Sequence, residues 1–248
     1  MSRKIHVEIL DDAEAVGREA AARILAVVER KPEAVLGLAT GSTPIPAYRE
    51  LVKLAHERKV SFAGVKTFNL DEYLGLSGGH PQSYRQYMNK YLFAHLDIPL
   101  WQTALPDGAA SDPEAECAAF EARIHAAGGV DLWLLGIGSN GHIGFNEPGA
   151  PRDCRTRVAS LAPSTIEASA KDFGGAAGVP RQALTAGVAT ILEAREILLL
   201  ATGAGKAPAV AAALEGPITP QLPASYLQAH PSCAFMLDRA AASKLVKP

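Results

Sequence analysis

Residues 131–149 read DLWLLGIGSNGHIGFNEPG, an apolar run that passes directly into a glycine-rich loop. Five glycines between positions 136 and 149 exclude a helix interior or an ordinary strand. The backbone must therefore turn, and it must hold His142, Asn146 and Glu147 at the end of a strand. Because α/β enzymes keep their catalytic groups at strand ends, the stretch predicts an α/β fold with an acid/base centre.

Similar apolar runs recur along the chain between segments with helical periodicity. This alternation predicts βα units in a three-layer α/β/α, Rossmann-like fold with a mostly parallel central sheet. No linker, repeat or long charge block marks a boundary, so residues 1–248 are expected to form a single domain. The predicted strands are residues 4–10, 34–39, 65–70, 131–137, 196–201 and 234–237.

Capping patterns mark several helix starts. Residues 11–14 (DDAE) and 83–86 (SYRQ) resemble capping boxes, and Asp112 precedes a proline at a first helical position. Residues 46–59 carry apolar side chains on one face, which predicts a helix packed on the sheet.

Residues 162–180 have no clear period, and we expect a mobile helix and loop there that form a small lid over a site.

Composition excludes several classes of protein. A net charge of -2 over 248 residues, without clustered Lys or Arg, excludes nucleic acid and anionic membranes as expected partners. The three cysteines are widely spaced and lack CxxC geometry, which argues against disulfides and a zinc site. No long uncharged apolar run or secretion signal is present, so we expect a cytoplasmic protein without a membrane span.

Two glycine-containing loops have the features of anion sites. The segment TGSTP follows the run 34–39 and precedes a helix, where free N–H groups and the helix dipole suit a phosphate. A strand-to-helix turn with a capping threonine explains it equally well. In the segment TGAGK, Lys206 stands at a second helix start, although a lone lysine is usually a solvated surface charge. The phosphate candidates are Thr40, Gly41, Ser42, Thr43 and Lys206.

Acidic side chains and one imidazole provide candidates for proton transfer. Asp71 and Glu72 follow the run 65–70, and adjacent side chains of an extended chain point opposite ways, so at most one faces a cleft. A capping aspartate beside a surface glutamate is the alternative. His142 and Glu147 can meet across a glycine-rich turn, where the carboxylate would fix the imidazole tautomer and raise its basicity for proton transfer. A structural histidine in a tight turn is the competing interpretation.

Five further residues are weaker candidates because packing or surface positions explain them at least as well. They are Tyr73, His80, Tyr84, Arg85 and His230.

Several segments together resemble the glucosamine-6-phosphate deaminase (isomerising) family over nearly the whole chain: LGLATGSTP, FNLDEYLGL, GIGSNGHIGFNEPG, CRTRV and ALTAGVATIL. The related 6-phosphogluconolactonases typically carry DER and DGHxASLFPG in place of LDEY and NGHIGFNEP. The resemblance implies aldose-ketose isomerisation and deamination of glucosamine 6-phosphate to fructose 6-phosphate and ammonia, without a metal or organic cofactor.

The resemblance also implies roles for individual residues. His142 would open the pyranose ring, Glu147 would orient His142, and Asp71 would move a proton between C2 and C1. Gly138 is a further substrate-binding candidate in the glycine loop. The family's phosphate contacts fall on Gly41, Ser42, Thr43 and Lys206.

Two positions depart from the pattern of many family members. Asn140 replaces an aspartate near the histidine, so it can hydrogen-bond but cannot stabilise an imidazolium by charge. Lys171 replaces a phosphate-binding arginine of the lid, which keeps the charge but loses bidentate geometry. Both residues stay among the expected site residues, Asn140 as catalytic and Lys171 as phosphate-binding.

The sequence leaves alternatives open. A galactosamine-6-phosphate deaminase or isomerase would use the same residues, and a 6-phosphogluconolactonase or a sugar-phosphate sensor without turnover are less favoured. The activator site of hexameric members uses a serine pair, an arginine, a lysine and a C-terminal tyrosine tail, whereas the corresponding stretch here lacks the serine pair and the chain stops at Pro248. We therefore expect an unregulated enzyme that is a monomer or a weak homo-oligomer. The activator-site positions are Ala150, Pro151, Arg157 and Ala159.

Overall fold

The computed structural model describes residues 5–246, in which β-strands and α-helices alternate. The strands are β1 (His6–Leu10), β2 (Val35–Leu38), β3 (Lys66–Asn69), β4 (Asp71–Tyr73), β5 (Thr103–Ala104), β6 (Leu132–Gly136), β7 (Arg157–Ser160), β8 (Gln182–Thr185), β9 (Glu196–Ala201) and β10 (Cys233–Asp238). The helices are α1 (Ala13–Arg30), α2 (Ile45–Arg58), α3 (Tyr84–Tyr91), α4 (Pro113–Ala126), α5 (Pro163–Ser169), α6 (Val188–Leu192) and α7 (Ala207–Glu215).

Short 3-10 helices connect several of these elements. They span Phe93–His95, Leu100–Gln102, Ala170–Asp172, Ala176–Gly178, Ala204–Lys206 and Pro223–Ala229. No helix within residues 5–246 combines the length and the apolar character that a membrane span requires.

Within the described residues, seven strands form a parallel main sheet in the order β1-β10-β9-β6-β2-β3-β5. The strands β4, β8 and β7 form a small antiparallel sheet beside it. The expected fold class is confirmed. All six predicted strands are present within a residue or two of their expected bounds, although Lys4, the first residue of the run 4–10, lies outside the described residues.

Alternating side chains give the main sheet two buried faces. On β6, Leu132 and Leu134 pack into the apolar cluster with α1 and α2, whereas Trp133 and Leu135 pack into the cluster on the opposite face with α4 and α7. Successive side chains of a strand point to opposite sides, so a continuous apolar run is what a sheet covered on both faces requires. The helices on the two faces complete the three layers.

The helix starts follow the capping patterns with one shift. Asp12, and not Asp11, caps α1 by accepting a hydrogen bond from the amide of Ala15 at 2.7 Å, because its extended backbone precedes the first turn. Ser83 caps α3, and Asp112 caps α4 ahead of its proline. Asp11 instead forms an exposed ion pair with Arg239.

The two central strands β2 and β6 define the opening in which a ligand can bind. After β2 the chain leads through α2 to β3 on one side, and after β6 its next strand in the main sheet is β9 on the other side. The loops that follow the two strands therefore diverge. In open parallel sheets, the crevice at the carboxyl ends of such diverging strands is where ligands bind.

A close contact at the centre of the main sheet requires a glycine. Gly37 of β2 lies against the buried indole ring of Trp133 on β6, and a Cβ atom at position 37 would lie 2.3 Å from the ring carbons. No side chain fits at that separation, because packed carbon atoms lie about 3.5–4.0 Å apart. The two middle strands pair at this point, so the contact holds the two sides of the sheet together.

We predict that Gly37→Ala lowers the free energy of unfolding by about 1–3 kcal/mol, because the new methyl group must displace the Trp133 ring. Urea denaturation measures this loss. The matched control is Gly205→Ala, since a Cβ there would meet no atom within 4 Å. We expect the control to stay within about 0.5 kcal/mol of the parent protein. Equal effects of the two changes would contradict the close packing at Gly37.

Candidate active site

A cavity of about 930 Å³ lies at the carboxyl ends of the central strands. Its volume is near the upper end of the range of about 300–1,000 Å³ that is typical of small-molecule sites. Its walls include the loops that follow β2 and β6, the strand β4 and the segment 162–180. Of the residues expected from the sequence, the cavity is lined by Thr40, Gly41, Ser42, Thr43, Asp71, Gly138, His142, Lys171 and Lys206.

His142 and Glu147 form a pair at one side of this cavity. The Nδ1 atom of His142 lies 3.3 Å from the Oε2 atom of Glu147. Glu147 does not line the cavity and acts on it through His142. Because Nδ1 is occupied by the carboxylate, the other ring nitrogen, Nε2, is the one available to a ligand.

Polar groups around Glu147 keep its carboxylate ionised. Asn140 donates to Oε2 at 2.8 Å, Thr165 donates to Oε1 at 2.5 Å, and the amide of Ala162 reaches Oε1 at 3.3 Å. Burial alone would raise the pKa of Glu147, but the hydrogen bond and charge of His142, together with Thr165 and Asn140, lower it to about 2. Asn140 thus holds the carboxylate of Glu147 through a hydrogen bond, and its own side chain does not line the cavity.

Gly138 allows the imidazole ring to lie where it does. A Cβ atom on Gly138 would stand 2.3 Å from Cε1 of His142, so a larger residue would push the ring away. The amide of Gly138 also donates to the carbonyl oxygen of His142 at 2.9 Å, which closes the turn. The fully buried Asn146 anchors the other end of this loop by donating to the carbonyl oxygens of Ile143 and Ala186, both at 2.9 Å.

Asp71 faces the same cavity from β4. A Cβ atom on Gly144, two residues after His142, would lie 3.5 Å from Oδ2 of Asp71, so the carboxyl group adjoins the glycine loop. Asp71 is only 5% exposed, and no hydrogen bond reaches its carboxyl group from residues 5–246. Burial, with a smaller contribution from the charge of Glu72, raises its pKa to about 8.

Glu72 points away from the cavity, as the alternation along a strand requires. It accepts hydrogen bonds from the amides of Tyr73 at 2.9 Å and Arg85 at 3.3 Å, and so lies at the start of α3. Burial raises the pKa of Glu72 to about 7, while the amides of Tyr84, Tyr73 and Arg85 and the charge of Arg85 oppose the rise. Of the two adjacent carboxyl groups, only Asp71 is in a position to contact a ligand.

The loop after β2 gives the cavity an end suited to an anion. Helix α2 has Pro44 as its N-cap and no capping side chain, so the capping-threonine interpretation is wrong. The amides of Gly41, Ser42 and Thr43 donate to no acceptor within residues 5–246. Lys206 lies beside the same cavity, and burial lowers the pKa of its ammonium group.

The second glycine loop contributes less than its sequence suggests. In the segment 202–206, only Lys206 lines the cavity. The amide of Gly203 donates to both carboxylate oxygens of Asp238, at 3.0 and 2.9 Å, and is therefore not available to a ligand. The sequence predicted two anion-binding loops. The structure has one such loop, after β2, and the second segment contributes only Lys206 to the cavity.

The comparisons with known proteins agree with this geometry. The family described as glucosamine-6-phosphate isomerases/6-phosphogluconolactonase matches residues 11–235. The chain belongs to this family. The resemblance noted in the sequence is thereby confirmed.

Relatives within the family share most of the chain. A glucosamine-6-phosphate deaminase of Rhodopirellula baltica is 52% identical over 243 residues, which are 98% of this chain and 97% of that protein. A glucosamine-6-phosphate deaminase of a Geobacillus species is 52% identical over 230 residues, covering 93% of this chain and 92% of that protein.

Solved structures give the same picture. A monomeric glucosamine-6-phosphate deaminase matches with a TM-score of 0.95 and 44% identity, over 97% of this chain and 100% of that one. A 6-phosphogluconolactonase from Trypanosoma brucei has a TM-score of 0.79 at 21% identity, over 98% of this chain and 99% of that one. At that identity the second likeness shows the fold alone.

The segment 162–180 forms a wall of the cavity. It contains α5 and two 3-10 helices, and its Ile166 and Val179 are buried in an apolar cluster with Tyr73 and Phe145. This packing explains why a helix forms despite the weak periodicity of the sequence. Within the segment, Lys171 lines the cavity as expected, together with Ser164, Thr165, Ser169, Asp172 and Phe173.

Sequence reasoning undervalued the aromatic residues around the cavity. Tyr73 and Tyr84 both line it, with ring centroids 5.1 Å apart, and Phe145 and Phe173 pack against Tyr73. Apolar periodicity could not separate them from ordinary core residues. The other weak candidates lie elsewhere: Arg85 binds Thr103, His80 is exposed, and His230 bonds to the carbonyl oxygen of Ala194.

Replacing Asp71 with Asn is predicted to raise the melting temperature at alkaline pH. The folded pKa of about 8 exceeds the unfolded value, which is near ~3.9 for an aspartate. The folded protein therefore binds the proton more tightly, and stability is lost as the pH rises from about 4 to about 8. Asn carries no charge and avoids this loss.

The gain in melting temperature should be largest above about pH 8 and should shrink towards about pH 5. The exposed Asp153 provides the control, since Asp153→Asn removes a carboxylate that water already solvates. A gain of the same size at both pH values would contradict a buried, unpaired charge at Asp71.

Proposed function

We propose that this protein isomerises and deaminates glucosamine 6-phosphate to give fructose 6-phosphate and ammonia. The observation that carries the proposal is the meeting of three groups around one cavity: the buried carboxyl of Asp71, the His142–Glu147 pair, and the free amides beside Lys206. Each group suits one part of an aminosugar phosphate. The names of the relatives described above support the same substrate.

The phosphate group would bind at the end of the cavity formed by the loop after β2. The free amides of Gly41, Ser42 and Thr43 lie just before the start of helix α2, where the helix dipole favours an anion. Lys206 adds a positive charge at this end of the cavity. Burial lowers the pKa of its ammonium group, and a bound phosphate would stabilise the charged form again. Lys171 approaches from the segment 162–180, which would act as a lid over the sugar.

Ring opening would use the His142–Glu147 pair. Glu147 binds the Nδ1–H group of His142, so that Nε2 can take the proton from the O1 hydroxyl of the sugar. The same nitrogen returns the proton to O5 while the C1–O5 bond breaks. The product of this step is the open-chain aldehyde. The carboxylate of Glu147, whose pKa is about 2, stabilises the transient imidazolium.

Isomerisation would use Asp71 as the single base. Its carboxylate removes the proton from C2, the C1–C2 double bond of an enolamine forms, and the adjacent ammonium group gives O1 the proton that it needs. Asp71 then returns its proton to C1, which yields the protonated imine at C2. Water adds to C2 and passes one proton to the nitrogen, the C–N bond breaks as ammonia leaves, and the C2 hydroxyl loses its proton to give fructose 6-phosphate.

The environment of Asp71 fits a base that acts next to a cation. Burial and the charge of Glu72 raise the pKa of Asp71 to about 8. The ammonium group on C2 of the substrate would stand beside it and favour the ionised form. The substrate itself would thus help to create the carboxylate, and a base with a raised pKa is a stronger proton acceptor.

The proposal is tested by measuring ammonia release with Asp71→Asn. We expect kcat for glucosamine 6-phosphate to fall by about 10²–10⁴-fold, because the general base is lost while the shape is kept. The substrate Kd, measured by calorimetry, should rise far less than kcat falls, since only the attraction to the C2 ammonium group is lost, and the surface control Asp153→Asn should retain activity. Unimpaired turnover by Asp71→Asn would remove Asp71 from the reaction. Faster turnover of galactosamine 6-phosphate than of the gluco epimer would show that the galacto epimer, and not glucosamine 6-phosphate, is the preferred substrate.

We further propose that the protein is a cytoplasmic monomer built as a single domain. The likeness to a monomeric deaminase at a TM-score of 0.95 supports the monomer. The three cysteines are all free thiols, which suits a reducing compartment.

A further inference from the structure

Thr165 is the residue through which the segment 162–180 touches the acid/base pair. Its hydroxyl group lies 2.5 Å from Oε1 of Glu147 and 3.4 Å from Nδ1 of His142. The side chain is 6% exposed and lines the cavity. No glycine loop or charged motif marks this position in the sequence.

We propose that Thr165 is a positioning residue that couples the seating of the segment 162–180 to the orientation of Glu147 and, through it, of His142. This inference rests on the proposed function, because it assigns Thr165 a part in opening the sugar ring. Thr165 itself acts through Glu147 and not on the reacting carbon atoms.

The hydrogen-bond pattern around Glu147 explains the positioning. Thr165 holds Oε1, which leaves Oε2 to face Nδ1 of His142 at 3.3 Å. A hydroxyl group has one proton to donate, and the shorter contact directs that proton to Glu147. Without this donor, Oε1 keeps only the amide of Ala162 at 3.3 Å, while Asn140 still holds Oε2 at 2.8 Å. The carboxylate is then held less firmly, and the tautomer and angle of the imidazole ring are less strictly fixed.

Neighbouring residues tie Thr165 to the lid. Ile166, the next residue, is buried in the apolar cluster with Tyr73 and Phe145, so α5 must be seated for the Thr165 hydroxyl to reach Glu147. The adjacent Ser164 accepts a hydrogen bond from Asn140 at 3.3 Å. Lys171 lies farther along the same segment and lines the cavity. Phosphate binding at Lys171 and ring opening at His142 are therefore linked through one short piece of chain.

The experiment compares Thr165→Val, Thr165→Ser and Thr190→Val. Valine keeps the shape of threonine but removes the donor, and serine restores the donor. Thr190 provides the matched control, because its hydroxyl also lies 2.5 Å from a carboxylate oxygen, that of Glu121, but at a place that does not line the cavity. The readouts are kcat for glucosamine 6-phosphate and the Ki of 2-amino-2-deoxyglucitol 6-phosphate, an open-chain analogue that needs no ring opening.

We expect Thr165→Val to lower kcat by about 10- to 100-fold, the range expected for one hydrogen bond to a charged group. The Ki of the analogue should stay within about threefold of the parent value, and Thr165→Ser should recover most of kcat. Thr190→Val should keep its kcat. Melting curves of all three variants show whether each is folded.

Three results would overturn the inference. The first is an unimpaired Thr165→Val variant, and the second is a serine variant as poor as the valine variant. The third is loss of analogue binding in parallel with kcat, which would indicate general damage to the cavity. A parent protein that releases no ammonia would overturn the proposed function as well, whereas an active parent with an unimpaired valine variant would overturn this inference alone.

Discussion

The divergence of the chain at β2 and β6 is the constraint on which the rest of the structure depends. All strands of the main sheet run in one direction, so their carboxyl ends meet at one edge, and from there the chain leads from β2 to β3 on one side and from β6 to β9 on the other. Three parts of the site line the gap between the loops that follow β2 and β6: the amides at the start of α2, the glycine loop with His142, and Asp71 from the short strand that follows β3. The close packing of Gly37 on Trp133 keeps the two halves in register beneath this gap.

The two carboxyl groups of the site differ because their surroundings differ. Glu147 is surrounded by donors and a histidine, and its pKa falls to about 2. Asp71 has burial and a neighbouring acid around it, and its pKa rises to about 8. One carboxylate is suited to stabilise a cation, and the other to take up and release a proton. Burial of the Asp71 carboxyl group lowers the stability of the folded protein when the group is ionised, but it suits the group to proton transfer, as is common at functional sites.

The fold and the chemistry of the site could be read from the sequence to different extents. The strands of the main sheet were predictable where apolar runs were long, whereas β5 has two residues and β4 has three, too short to show a period. His142, Glu147 and Asp71 stood out because glycines and strand ends surround them. Thr165 and Tyr73 did not, because their roles depend on the long-range packing of the segment 162–180. The anion site expected at the segment TGAGK is reduced to Lys206, because Asp238, 35 residues away in the chain, takes the amide of Gly203.

A crystal structure with 2-amino-2-deoxyglucitol 6-phosphate bound would test the central claim most directly, since the claim concerns which groups surround one hexose. The account predicts the phosphate oxygens about 3 Å from Lys206 Nζ and from the amides of Gly41, Ser42 and Thr43. It also predicts C1 and C2 beside the carboxyl group of Asp71, with His142 near the oxygens of the opened ring. A phosphate bound elsewhere in the cavity, or a C2 atom out of reach of Asp71, would contradict it.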